Sequence, residues 1–189
     1  MQEVYKLIPA NDKSKNKLAH IEKEAGTKIN QCYQCGKCTA GCPVAFSMDY
    51  PPRQVIRLLQ LDFIEEALSA ESIWLCAACE TCSARCPRGV SIASLMDALR
   101  REALFQGKNR NSKTALFNKS FLTWVKNGGR AFEAGLLLMF NLLSRQPFND
   151  MDKGLPMIDR GKISFFPDRI KDRSAIKQIF ERAEKLGRK

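Results

Sequence analysis

Apolar residues recur at helical spacing along most of this chain. From Ser14 to Ala25, Leu18, Ile21 and Ala25 share one face, and Gly26 follows as a stop signal. Pro51 and Pro52 suit a first helical turn, and Val55, Leu58, Leu59 and Phe63 then form a stripe. Asp62-x-x-Glu65 has the form of a capping box, which predicts a short helix through Leu68. Ser91 is a good N-cap for a helix whose stripe is Ile92, Leu95, Met96 and Leu99, with Gly107 as its stop. Gln2 to Ile8 alternates and predicts a short strand. Ala131 to Leu143 is apolar nearly all round, which predicts burial. Arg145 to Arg169 carries Pro147, Pro156 and Pro167 and reads as loop, and Ser174 to Leu186 reads as a charged helix. The Val55 and Ile92 stripes are expected to be core rather than partner faces.

Between these stripes lie two runs of one pattern. Cys32-x2-Cys35-x2-Cys38-x3-Cys42-Pro43 recurs as Cys76-x2-Cys79-x2-Cys82-x3-Cys86-Pro87, with each Cys 44 positions after its counterpart. The two runs use all eight Cys of the chain. This is the bacterial-type run that holds a [4Fe–4S] cluster. Three Cys at steps of three wrap a short turn round one cube. The fourth, followed by Pro, leaves that turn and in two-cluster ferredoxins ligates the other cluster. The expected assignment is therefore crossed. Cys32, Cys35, Cys38 and Cys86 hold one cluster; Cys76, Cys79, Cys82 and Cys42 hold the second. Gly36 and Gly41 leave room for backbone N–H groups to approach the sulfurs. Lys37, Thr39, Thr81 and Arg85 stand where charge and hydrogen bonds tune a potential. Structural zinc uses pairs of C-x2-C without a third Cys at the same step. Disulfides belong to secreted chains, and Met1 to Pro9 has no apolar signal-peptide core. The reduced thiols indicate a cytoplasmic, anaerobic setting.

Both motifs are followed by helix, and the connector from Val44 to Leu75 itself reads as helix. The fold class is therefore mainly α, with helices stacked over the clusters, instead of the strand-rich build of small two-cluster ferredoxins. Four segments are expected: an N-terminal extension at 1–29, a cluster domain at 30–106, basic and apolar helices at 107–144, and a loop with a charged, partner-docking helix at 145–189.

The formal net charge is +11. From Gly107 to Arg130 there are six basic residues and no acidic ones, interleaved with apolar side chains. That excess favours acidic partners. It alone permits nucleic-acid binding, but no recognition motif accompanies it, so nucleic acid is not an expected partner. No stretch reaches the ~20 apolar residues of a spanning helix, so any link to a membrane is expected to be indirect. His20, the one histidine, sits among lysines and reads as a solvated helix residue.

The residues around the first motif, C-Y-Q-C-G-K-C-T-A-G-C-P followed by Met48 to Arg57 (M-D-Y-P-P-R-Q-V-I-R), resemble the two-cluster iron–sulfur subunit of heterodisulfide reductase. Ile73-Trp74-Leu75 ahead of the second motif and Gly89-Val90 behind it resemble the same protein. The likeness covers about Asn30 to Gln106. It implies a helical ferredoxin domain with two [4Fe–4S] clusters. It implies an electron-transfer role, relaying single electrons between a flavin-bearing subunit and a catalytic, disulfide-reducing subunit of the complex. The catalytic subunit of that family uses adjacent cysteines, and this chain has no adjacent Cys pair, so no catalytic residue is expected on it. The eight Cys alone would equally suit an iron–sulfur subunit of another respiratory or quinone-linked dehydrogenase.

Overall fold

The computed structural model describes residues 12–108, 113–146 and 172–186, together with 157, 159, 160 and 170. It is mainly helical, with no strand among the described residues. In chain order the helices are α1 (Asp12–Ala25), α2 (Lys37–Ala40), α3 (Pro52–Gln60), α4 (Ile64–Ser69), α5 (Ser72–Leu75), α6 (Thr81–Ala84), α7 (Ile92–Phe105), α8 (Lys113–Gly128), α9 (Glu133–Leu143) and α10 (Arg173–Leu186). Short 3₁₀ turns lie at Ile29–Gln31 and Ala45–Ser47. Two compact units result, Met1–Arg110 and Asn111–Lys189.

The first unit is built on α7. Its stripe of Ile92, Leu95, Met96 and Leu99 is buried, and Ala98 and Ala103 widen it. Small residues there let helices approach closely: α1 lies along α7, and α4, α5 and α6 pack against it. Ile21 and Ala25 of α1, Ile64, Ala67 and Leu68 of α4, and Ile73 of α5 complete the core. On α3, Val55 and Leu59 are buried as the stripe predicts, and so is Ile56, which lies beside it; Leu58 and Phe63 are only half-buried. Glu65 accepts from both Lys17 and Lys108, so one carboxylate ties α4 to α1 and to the residues after α7.

Three local expectations need correction. Asp62 does not take the cap position of α4: its φ is 66°, and Phe63 stands at the cap. Ser91 does occupy the cap of α7, but its hydroxyl pairs with Ser94 Oγ at 2.7 Å instead of a backbone N–H. Ala131 to Leu143 is not buried as a whole. Only Gly135 and Leu136 of α9 are buried, while Leu138 and Leu142 are 73% and 72% exposed. The strand expected at Gln2 to Ile8 lies outside the described residues, as does most of the loop expected from Arg145 to Arg169.

In the second unit, α8 carries both α9 and α10. Phe117 meets Phe140 edge-on at 5.6 Å, and Trp124 meets Phe132 at 5.4 Å. Lys126 pairs with Glu184 of α10 at 2.7 Å. Gly135 lets α9 close on α8, because a Cβ there would stand 2.5 Å from Phe132 Cδ1 and closer still to Trp124 Cζ2. Neither ring atom is the end of a flexible chain. Gly135→Ala should therefore destabilise this unit by about 1–3 kcal/mol through overpacking. Tryptophan fluorescence during thermal unfolding reads that loss.

Candidate metal centre

The two Cys runs fold alike. In each, the backbone alternates between ordinary and left-handed conformations: Gln34 and Gly36 take φ 65° and 82°, and their counterparts 44 residues on, Ala78 and Glu80, take 50° and 59°. Left-handed residues on either side of the second Cys bend the chain so that successive thiols face one side. The third Cys then lies in a single helical turn, α2 or α6. Glycine relieves the strain at position 36, whereas Glu80 carries it, at a cost of order 1 kcal/mol. Gly41 serves otherwise. Its φ is ordinary, and the Arg85 side chain lies across it, where a Cβ would stand 2.7 Å from a guanidinium nitrogen.

The electrostatics repeat as well. Cys35 and Cys79 are exposed, Cys38 and Cys82 buried, and the other four half-buried. The Lys37 backbone N–H, with the Tyr33 hydroxyl and the Lys37 charge, holds the Cys35 thiol below its usual pKa. The Thr81 hydroxyl and backbone N–H do the same for Cys79. Burial pushes Cys38 and Cys82 up, against hydrogen bonds from Thr39 and Ser83. Thiolate ligands must shed their protons, so the exposed pair is prepared for metal and the buried pair needs it. Further donors point at the remaining sulfurs: Gln34 N at 3.4 Å from Cys32 Sγ, and Val90 N at 3.3 Å from Cys86 Sγ.

Two side chains from distant helices donate to the backbone of these loops. Gln60 Nε2 donates to the carbonyls of Ile29 and Cys32 at 3.1 and 2.9 Å. Arg100 donates from Nε to Ile73 O and from a terminal N–H to Cys76 O. Ile73 and Cys76 stand 44 residues after Ile29 and Cys32. The same two carbonyls are thus held by a neutral amide in one half and a guanidinium in the other. Asp49 completes the frame: it accepts from the N–H groups of Tyr50, Glu71 and Ser72 at 2.8–2.9 Å and from the Ser72 hydroxyl, fastening the start of α5. Sequence reasoning passed over Gln60, Arg100 and Asp49. The available signal was that Gln60 and Arg100 each follow the last buried leucine of a stripe, Leu59 or Leu99. Of the residues expected to tune the site, Thr81 and the Lys37 backbone contact sulfur as described, Thr39 also accepts from Arg53 N at 3.0 Å, and Arg85 packs on Gly41.

One cavity gathers Cys42 with Cys76, Cys79 and Cys82, walled by Val44, Met48, Ile92 and Met96. Cys32 opens instead on a polar groove with Tyr33, Gln34, Arg53 and Arg57. Cys86 and Cys35 both bear on the Tyr33 hydroxyl, which donates to Cys35 and is itself pushed up in pKa by that bond. His20 faces Glu24 at 3.9 Å, away from either run. Among the described residues no three His, Cys, Asp or Glu converge as they do round a single ion. Zinc needs four sulfurs about 2.3 Å from one centre. Cys42, Cys76, Cys79 and Cys82, as four thiols lining one largely apolar cavity, are a donor set that would suit an iron–sulfur cluster.

Residues 28–90 match the family described as a 4Fe-4S dicluster domain. This segment is a two-[4Fe–4S] domain. The dicluster domain and its surroundings are 40% identical over 87 residues to an iron-sulfur subunit of the CoB–CoM heterodisulfide reductase of Methanopyrus kandleri, covering 46% of this chain and 45% of that protein. Identity is 36% over 106 residues with an iron-sulfur subunit of the CoB–CoM heterodisulfide reductase of Methanocaldococcus jannaschii, covering 56% and 54%. It is 36% over 87 residues with the corresponding subunit of the H(2):CoB-CoM heterodisulfide,ferredoxin reductase of Methanothermobacter thermautotrophicus, covering 46% and 47%. The chain therefore spans about half the length of the curated relatives it matches. It resembles iron–sulfur subunits of an oxidoreductase complex. No helix among the described residues is long and apolar enough to cross a membrane.

Two tests follow from the frame of the dicluster domain. Arg100→Leu strips both carbonyls of their donors, which should cost about 1–3 kcal/mol, and removes a cation beside Cys76. The potential of the cluster on that motif should fall in an EPR-monitored redox titration, while Gln60→Leu, which removes no charge, should leave the potentials closer to those of the parent. Asp49 is pulled both ways: partial burial raises its pKa, but the Ser72 hydroxyl and the N–H groups of Glu71, Tyr50 and Ser72 outweigh burial and hold it low. A depressed carboxylate stabilises the fold above its unfolded pKa of about 3.9, and that stability is lost as pH falls through the lower folded value. Asp49→Ala should flatten the acid limb of the stability profile and cost about 1–2 kcal/mol at neutral pH, as loss of a helix cap does.

Proposed function

We propose that this chain is the electron-transfer subunit of a heterodisulfide-reductase-like complex in the cytoplasm. It relays single electrons between a flavin-bearing partner chain and a catalytic partner chain that reduces a disulfide. Any membrane association runs through such a partner. The observation that carries this reading is the cavity that brings Cys42 of the first motif among the three spaced Cys of the second. That gathering supports the crossed ligand sets, Cys76, Cys79, Cys82 with Cys42, and Cys32, Cys35, Cys38 with Cys86. The nearness of Cys86 and Cys35 to Tyr33 supports the second set. Crossed ligands tie both motifs into one frame and bring the two sites close.

A [4Fe–4S] cluster on four thiolates takes up and gives up one electron without bond making. The chain's part is to position and insulate. Buried Cys38 and Cys82 set one side of each site in the core, and exposed Cys35 and Cys79 leave one edge of each at the surface. N–H groups aimed at sulfur favour the added negative charge of the reduced state. Residues 145–189 are assigned to docking within the complex.

Anaerobically purified protein should contain about eight iron and eight sulfide per chain. Cys42→Ser should degrade chiefly the EPR signal of the second motif's cluster, and Cys86→Ser that of the first. Signal loss confined in each case to the mutated Cys's own motif would refute the crossed sets.

A further inference from the structure

Each site reaches the surface at one ligand, and the two surfaces differ in charge. Cys35 and Cys79 are repeat equivalents and the only exposed Cys. Around Cys35 the charges are positive. Lys37 acts on the thiol itself, and Arg88 on the adjacent Tyr33. Arg53 and Arg57 project from successive turns of α3 into the open groove that Cys32, Tyr33 and Gln34 line. Arg53 also lies against Gly36, with its Cδ 3.8 Å from where a Cβ would be. All four cations are exposed, and among the described residues none of them is ion-paired, although Lys17, Lys28, Arg101, Lys108 and Lys126 all are. Around Cys79 the nearest charge is that of Glu80, one residue on and also exposed. The repeat that makes the two sulfur sites alike thus breaks at their rims: Gly36 and Lys37 in one motif stand where Glu80 and Thr81 stand in the other.

Unpaired cations round an electron port cost little while solvated. They raise the local concentration of anions, and clefts lined by one sign of charge speed association about 10- to 1,000-fold. We propose that the rim of Lys37, Arg53, Arg57 and Arg88 at the first motif, along the groove of Cys32 and Tyr33 and next to Cys35, is the docking face for an acidic, carboxylate-bearing segment of a redox partner. Electrons then cross between that partner and the site of the first motif, while the Glu80 rim at Cys79 serves a partner without that acidic surface. This deepens the electron-carrier reading and rests on it. The polarity gives the relay a direction of assembly, because an acidic partner is repelled from the second port and drawn to the first.

The test uses the cluster-loaded protein and probes of known charge. Protein reduced with dithionite is mixed at low ionic strength with tris(oxalato)cobaltate(III), a trianion, or hexaamminecobalt(III), a trication. In either reaction one electron leaves the protein and cobalt(III) becomes cobalt(II), with no bond to the chain formed or broken. Arg53→Glu/Arg57→Glu should slow the trianion about tenfold and speed the trication. Lys15→Glu/Lys23→Glu on α1 changes net charge equally and should move either rate less than about twofold. Independently of electron transfer, fluorescein-labelled octaglutamate should bind the parent at low salt by fluorescence anisotropy, and about tenfold more weakly the Arg53/Arg57 variant. Unlabelled octaglutamate should slow the trianion reaction of the parent, an outcome that needs no variant. Equal rate losses in the two charge variants, or octaglutamate binding that survives Arg53→Glu/Arg57→Glu, would overturn the docking face. Full iron and sulfide in the parent with such results would leave the carrier reading standing, whereas protein without sulfide would remove that reading first.

Discussion

The loops that carry the thiols are fastened by side chains from distant helices, and that constraint governs the first unit. The left-handed steps at Gln34 and Gly36, and at Ala78 and Glu80, bend each loop about its second Cys. Buried carbonyls without donors cost about 1–3 kcal/mol each. Gln60 and Arg100 meet the need at equivalent positions, and each is placed by a helix whose apolar face is locked in the core. Helix packing thereby determines loop geometry, and loop geometry determines where sulfur sits. The connection runs both ways, since metal held by the two loops keeps α3 and α7 in the same frame.

The near-symmetry of the two halves makes their differences informative. Sulfur exposure, thiol acidity and backbone conformation all repeat, so the two sites are built to do the same chemistry. What differs is charge at two levels. Close to the backbone, Arg100 stands where the first half uses the neutral Gln60. At the surface, the first motif carries Lys37 and is joined by Arg53, Arg57 and Arg88, while the second carries Glu80. The first difference sets a cation beside the backbone of one motif and a neutral amide beside the other; the second gives the two exposed sulfurs surroundings of opposite sign.

The second unit follows another logic. α9 is apolar on every side, yet only Gly135 and Leu136 are enclosed, by the close approach of Trp124 and Phe132. Among the described residues α9 packs chiefly on α8, and much of the rest of its apolar surface is exposed. An all-round apolar helix needs partners on all sides to be buried, and composition does not supply them.

The sequence by itself determined the elements and the ligand chemistry. Stripes at Val55–Leu59 and Ile92–Leu99 fold as helices and bury as their spacing requires, because amphipathic period and core burial are one constraint. The two C-x2-C-x2-C-x3-C-P runs carry the dicluster domain because thiolate spacing is written directly in residue number. Tertiary structure alone decided the rest. The cap position of α4 fell to Phe63 instead of Asp62, and Ser91 turned its hydroxyl to Ser94. The roles of Gln60, Arg100 and Asp49 depend on contacts more than 20 residues away in sequence, which no local pattern records. The gathering of Cys42 with the second motif, and of Arg53 and Arg57 along the groove of Cys32 and Tyr33, likewise exists only once the helices have packed, because proximity between distant residues is a property of the fold.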